Sequence, residues 1–145
     1  MPAIVDWLIE GRVIYHYWWG NGTVDDAHSV NSQTLDMYAQ YPEQEKIHIV
    51  VDSTKQDTID VSFTDAQQAY TIINHNQIGW VIIMTNNSLI RMICNAILYL
   101  TPVQFRLVRT FDDALVIMKK LMPDTDFKEI TYDIITHNQV HNLTK

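Results

Sequence analysis

The sequence predicts an α/β domain, a mixed sheet of four or five strands that begins with an antiparallel hairpin and continues as alternating helices and strands. Three observations predict it. Two β-branched and aromatic runs flank Glu10-Gly11-Arg12 near the N-terminus. Three later apolar runs, Ile47 to Val51, Trp80 to Met84 and Phe105 to Val108, are too short for core helices and suit buried strands. The segments between them carry apolar residues every three or four positions, the spacing of one helix face.

The hairpin pairs Ala3 to Ile9 with Val13 to Trp19. In its second arm Val13, Tyr15, Tyr17 and Trp19 share one face and Ile14, His16 and Trp18 the other; both faces are bulky, so both are expected to be covered. Gly20-Asn21-Gly22-Thr23 is expected to break the strand, with glycine supplying a positive φ and Thr23 capping the next helix. That helix runs from Val24 to about Tyr41, buries Ala27, Val30, Thr34, Met37, Tyr38 and Tyr41, and is ended by Pro42. The strand Ile47 to Val51 ends in Asp52, and a polar stretch follows from Ser53 to Ser62. Thr64-Asp65-Ala66-Gln67 has the form of a capping box, opening a short helix with Ala66, Ala69, Tyr70 and Ile73 as its stripe. Trp80 to Met84, approached through Gly79, leads at Thr85-Asn86-Asn87 into a helix from Ser88 to Leu100. After Phe105 to Val108, Thr110 caps the last helix, whose first turn holds Asp112 and Asp113 where the helix dipole favours acids. Phe111, Ala114, Leu115, Met118, Leu121 and Met122 form its apolar stripe, and Pro123 stops it. Residues 1–123 thus make one domain, and 124–145 a C-terminal extension in which strand and helix spacing both fit Ile130 and Ile134.

A chain of 145 residues can bury a core without disulfides or structural metal, and lone Cys94 has no internal partner. Ten basic against seventeen acidic residues leave a net charge of −7, which repels polyanions and argues against a nucleic-acid partner. No apolar run reaches the ~18 residues of a membrane span and no secretory pattern opens the chain, so a cytoplasmic protein without a transmembrane segment is expected.

Familiar chemistry is missing its parts. Among six histidines none has clear metal spacing; His137 and His141 are four apart, but with no cysteine or acid triad nearby, and His48 is expected to be a hydrogen-bonded core residue. No serine stands in a Gly-x-Ser-x-Gly elbow, the apolar surroundings of Cys94 should raise its pKa, and Gly20-Asn21-Gly22 lacks the third glycine of a dinucleotide loop. No catalytic residue, cofactor or metal is therefore expected. The polar residues that stand out follow the parallel strands, where open α/β sheets place ligands: Asp52, then Thr85, Asn86 and Asn87, then Arg109 with Thr110. Acid, hydroxyl and base in that order match a phospho-acceptor receiver domain in part, but no acidic pair ends an early strand and Arg109 replaces the lysine. Helix capping is the simpler role for Asn87 and Thr110. From Asn87 to Leu100, ten of fourteen residues are apolar. If Leu89, Ile93, Ala96, Ile97 and Leu100 dock on the sheet, Ile90, Met92, Leu98 and Tyr99 are left for a second copy, another protein or the extension to cover.

The segments Trp7 to Tyr15, Trp19-Gly20-Asn21-Gly22-Thr23, Ile47-His48-Ile49-Val50-Val51-Asp52, Gly79-Trp80 and Phe105-Arg106-Leu107-Val108 together resemble a STAS-like domain. This is the fold of sulfate transporter cytoplasmic domains and anti-sigma factor antagonists, and the chain looks most like the SpoIIAA-like group of small bacterial proteins. The resemblance covers roughly residues 1–123 and implies a non-enzymatic protein-interaction or regulatory module, self-associating or with a protein partner. In the antagonists, a serine of an Asp-Ser-Ser-Gly motif at a helix start is phosphorylated by a partner kinase. Asp60 and Ser62 lie on its first and third positions, with Val61 and Phe63 in place of the first serine and the glycine, so Ser62 is the implied phospho-acceptor. The alternative is a small-molecule or lipid carrier whose pocket is lined by Trp7, Trp18, Trp19 and Trp80. A flat exposed apolar patch would favour the first reading, and an enclosed cavity with convergent polar groups the second.

Overall fold

The computed structural model describes residues 3–60 and 62–127; the expected extension over 128–145, with His137 and His141, lies outside them. Five strands, β1 (Ala3–Ile9), β2 (Val13–Thr23), β3 (Ile47–Asp60), β4 (Ile78–Met84) and β5 (Phe105–Val108), accompany four helices, α1 (Val24–Gln40), α2 (Phe63–Ala69), α3 (Ser88–Tyr99) and α4 (Phe111–Leu121). One 3-10 turn, Thr71–Asn74, follows α2. The strands lie in the order β1-β2-β3-β4-β5. The β1–β2 pair is antiparallel and the other three pairs are parallel.

Strand order moves one way across the sheet, and crossovers between parallel strands are right-handed, so the three connecting helices fall on one face. There Ile14, Ile47, Ile49 and Ile83 pack with Met37 and Tyr38 of α1, Ile72 and Leu98 of α3, while Trp18 meets Ala27, Val30 and Ala69. The opposite face carries Val13, Tyr15, Tyr17, Val50, Ile82 and Met84 under Ala114 and Met118 of α4 and the adjacent Met122. Both faces of β2 are covered, as its bulky alternation predicts: Val13 through Trp18 are all buried.

Two strands run further than expected. Gly20-Asn21-Gly22-Thr23 does not end β2; Gly20 takes φ +60, the register with β3 shifts on either side of it, and pairing resumes at Asn21↔Thr58, Gly22↔Ile59 and Thr23↔Asp60. A bulge absorbs the turn-like backbone. The stretch from Ser53 is accordingly strand, continuing β3 through Asp60. It extends beyond the β3–β4 ladder, which closes at Asp52↔Met84, so polar residues are tolerated there and hide the strand.

Helix starts match the expected caps at three of four places. Thr23 and Asp26 form a reciprocal capping box on α1, Asn87 accepts from Leu89 and Ile90, and Thr110 accepts from Asp113. For α2 the cap is Ser62, whose Oγ accepts from the Asp65 amide at 3.1 Å, and the Thr64 box does not form because Thr64 already lies inside the helix. Gln77 closes the other end of α1, donating to the Tyr41 and Gln44 carbonyls at 2.7 and 3.2 Å.

Candidate functional site

Of the polar residues expected at strand ends, Asp52 is an interior residue of β3, only 3% exposed. The strand runs on past it, so it cannot act as a strand-end ligand. Its carboxylate accepts from the Tyr15 hydroxyl, and from the Thr54 amide and hydroxyl at 3.0 and 2.6 Å. Burial and the adjacent Asp52 charge hold the Tyr15 phenol far above its ordinary range. Register does bring Asp52, Met84 and Val108 level across three strands, so Thr85 and Arg109 follow on the neighbouring strands. Each is occupied locally or solvated. Thr85 is fully buried and its Oγ1 accepts from the Asn87 amide at 3.1 Å, Asn87 caps α3, and Asn86 and Arg109 are exposed. This edge is built of structural hydrogen bonds.

Ser62 is exposed, and its oxygen is engaged as the α2 cap. With seven residues and Asp65 in its first turn, α2 offers a phosphoryl group little dipole and a like charge.

On α3 the expected division of faces is wrong at five positions, Ala96 among them, which is exposed where a docked residue was expected. Ile90 and Leu98, expected outside, are 1% and 6% exposed, while Leu89 and Leu100, expected inside, are 52% and 67% exposed. The helix is rolled so that Ile90, Cys94 and Leu98, spaced four apart, face inward. Met92 and Tyr99 are exposed as expected, at 62% and 78%, and Ile93 and Ile97 are partly buried. Leu89, Met92, Ala96 and Tyr99 then form one outer stripe at three- and four-residue spacing. The only charged residue of α3 is Arg91.

Beneath α3 lies a cavity of about 120 Å³ between the sheet and helices α1, α2 and α3. Its walls are mainly apolar: Trp18 and Ala27, Ile49, Val51, Val81 and Ile83, Ala66, Ile72 and Ile73, and Ile93, Ile97 and Leu98. His16, Ser53, Gln56, Tyr70 and Cys94 also line it. Of the four tryptophans expected to line a pocket, Trp18 does so; Trp7 instead packs edge-on against Tyr41, Trp19 against Tyr17, and Trp80 beneath Arg106. Burial raises the Cys94 thiol to about 11, which leaves it protonated and inert, as its apolar setting predicts.

His16 is the polar residue that sequence reasoning passed over. It lies between Ile14 and Trp18 on one face of a strand covered on both sides, and that alternation was the signal. It is 2% exposed, and burial lowers its pKa to about 3, so the imidazole is neutral. Thr34 spends its hydroxyl proton on the Val30 carbonyl at 2.7 Å, so its oxygen accepts from His16 Nε2–H at 2.9 Å. That assignment leaves Nδ1 as the acceptor nitrogen. His48 is hydrogen-bonded as expected, its Nδ1 accepting from the Trp80 amide at 2.9 Å, but it is half-buried rather than a core residue. Among the described residues no group of three histidine, cysteine or acidic side chains is placed to hold a metal ion. Nor is any helix there long and apolar enough to cross a membrane.

No protein-family model and no curated protein matches the chain. Solved structures do. An uncharacterised protein of the DUF3478 family with a SpoIIAA-like fold, from Shewanella loihica PV-4, superposes with a TM-score of 0.59 at 15% identity, over 79% of this chain and 90% of its own. The anti-sigma factor antagonist SpoIIAA in its unphosphorylated form gives a TM-score of 0.49 at 8% identity, over 81% and 97%. Together with the hairpin and the parallel crossovers, the first of these likenesses shows that the chain has a SpoIIAA-like fold.

Proposed function

We propose that the domain is a non-enzymatic interaction module whose contact surface is the outer face of α3 and whose first partner is a second copy of itself. The exposed apolar stripe of Leu89, Met92 and Tyr99 carries this reading. Three large apolar side chains at helical spacing on a solvent face lose surface to water only if another surface covers them. Self-association is favoured by charge. A chain with net charge −7 repels its own copies over most approaches, but α3 has no acidic residue, so two such helices can meet without opposing carboxylates. Stripes spaced by three and four residues also interdigitate between antiparallel helices related by a two-fold axis. The engaged Asp52, Thr85 and Asn87 side chains support a role without catalysis.

Light scattering on the wild type and on a Met92→Asp, Tyr99→Asp double variant tests this. The wild type is expected to run as a dimer and the variant as a folded monomer, since both side chains are solvent-facing in one copy. A monomeric wild type, or a variant that remains dimeric, overturns the proposal. Substitutions at Ile90 or Leu98 are no test of the surface, because both belong to the interior.

A further inference from the structure

The cavity under α3 has properties that core packing alone does not require. Protein interiors are close-packed, and an unfilled void lowers stability in proportion to its volume. Here the void is about 120 Å³, close to the size at which an apolar cavity, about 150 Å³ in a well-characterised case, stays dry and takes up benzene. Water is a poor occupant, since a buried water needs two to four polar partners and most of this wall is hydrocarbon.

The polar part of the wall is specific. Thr34 fixes His16 as the Nε2–H tautomer, and Nδ1 makes no hydrogen bond to any described residue. A neutral acceptor on a residue 2% exposed to solvent is unlike a surface histidine, because any partner it gains must come from inside the cavity. A ligand hydroxyl or N–H would supply the missing donor. A carboxylate would not, since it brings only acceptors and a charge that the apolar wall desolvates.

We infer that this cavity is a binding site for a small neutral molecule with an apolar body about the size of a benzene ring and a single hydrogen-bond donor, which His16 Nδ1 accepts. The site is separate from the outer face of α3, so it holds whether or not the chain dimerises. Recognition is by shape over the apolar wall and by one directional bond at His16, the usual division of labour in small-molecule sites.

Phenol and toluene are matched probes, equal in heavy atoms and differing in hydroxyl against methyl. Titration of each into isotope-labelled protein, followed by amide chemical shifts, is expected to move resonances of β2, β3 and α3 and to give phenol an affinity about tenfold higher. His16→Leu is expected to bring the two probes to within about twofold. Thr34→Val keeps the side-chain shape but removes the acceptor that fixes the tautomer, and is expected to reduce the preference as well, so the result does not depend on one variant folding. Cys94→Phe fills the cavity from α3 and is expected to weaken both probes at least about tenfold. The proposal is overturned if neither probe shifts these amides, if the two bind the wild type equally, if the phenol preference survives in folded His16→Leu, or if Cys94→Phe binds both unchanged.

Discussion

Tyr38 is wholly buried, yet its hydroxyl has no hydrogen-bond partner among the described residues. Its ring packs against His75 with centroids 4.7 Å apart, and burial holds the phenol above its ordinary pKa. An unsatisfied buried hydroxyl costs about 1–3 kcal/mol, whereas the ring contributes favourable packing. Tyr38→Phe is therefore expected to raise stability by about 1 kcal/mol, read as a higher urea midpoint at unchanged slope; a loss of stability would show that the hydroxyl is satisfied after all. Tyr15 is the contrasting case, because its hydroxyl donates to Asp52. In the sequence the two tyrosines look alike, each on the apolar face of its element. Only the partner that the fold brings from a different strand separates them, so neither could be ranked from spacing.

β4 bulges where it meets β3. The register shifts between Ile47↔Ile78 and Ile49↔Val81, and the His48 ring fills the space, accepting the Trp80 amide. This places the ring against Gly79, where an added Cβ would lie 2.4 Å from Nδ1 and 2.8 Å from Cε1. Gly79→Ala is expected to destabilise by about 1–3 kcal/mol, and less in a His48→Ala background, where the clash is gone; a double-mutant cycle with no coupling would exclude the contact. The rule that glycine marks a close approach was visible in Gly79-Trp80, but the approaching group was not. α3 shows the opposite limit. When ten of fourteen residues from Asn87 to Leu100 are apolar, almost every face is a candidate for burial, and the sheet rather than the periodicity chooses the face led by Ile90, Cys94 and Leu98. The hairpin, α1 and α4 were legible because a single stripe or alternation existed; the β2 and β3 extensions were not, since their bulged, polar ribbon satisfies backbone bonds without an apolar face.

Stability of the whole chain should carry the signature of its buried imidazole, His16, and of the half-buried His48. Burial lowers His16 from 6.5 to about 3, and also lowers His48. Folded His16 therefore resists a proton that the unfolded chain takes up readily. Its contribution is complete about one unit above pH 6.5 and is lost as the pH falls towards 3, by at most about 1.4 kcal/mol per pH unit. The urea midpoint is expected to fall between about pH 7 and about pH 5, and to fall less in His16→Leu. Equal slopes in the two proteins would mean that His16 takes up a proton as readily folded as unfolded, and so is not held neutral by burial. The order β1-β2-β3-β4-β5 has a consequence for how such a chain assembles. Among the described residues every hydrogen-bonded strand pair is also a consecutive pair along the chain, so the sheet can grow by addition at one edge. No strand has to be inserted between two that are already joined, and each step closes only the loop between sequence neighbours. Loop-closure entropy is met in small instalments, which favours rapid folding of a sheet that is largely parallel.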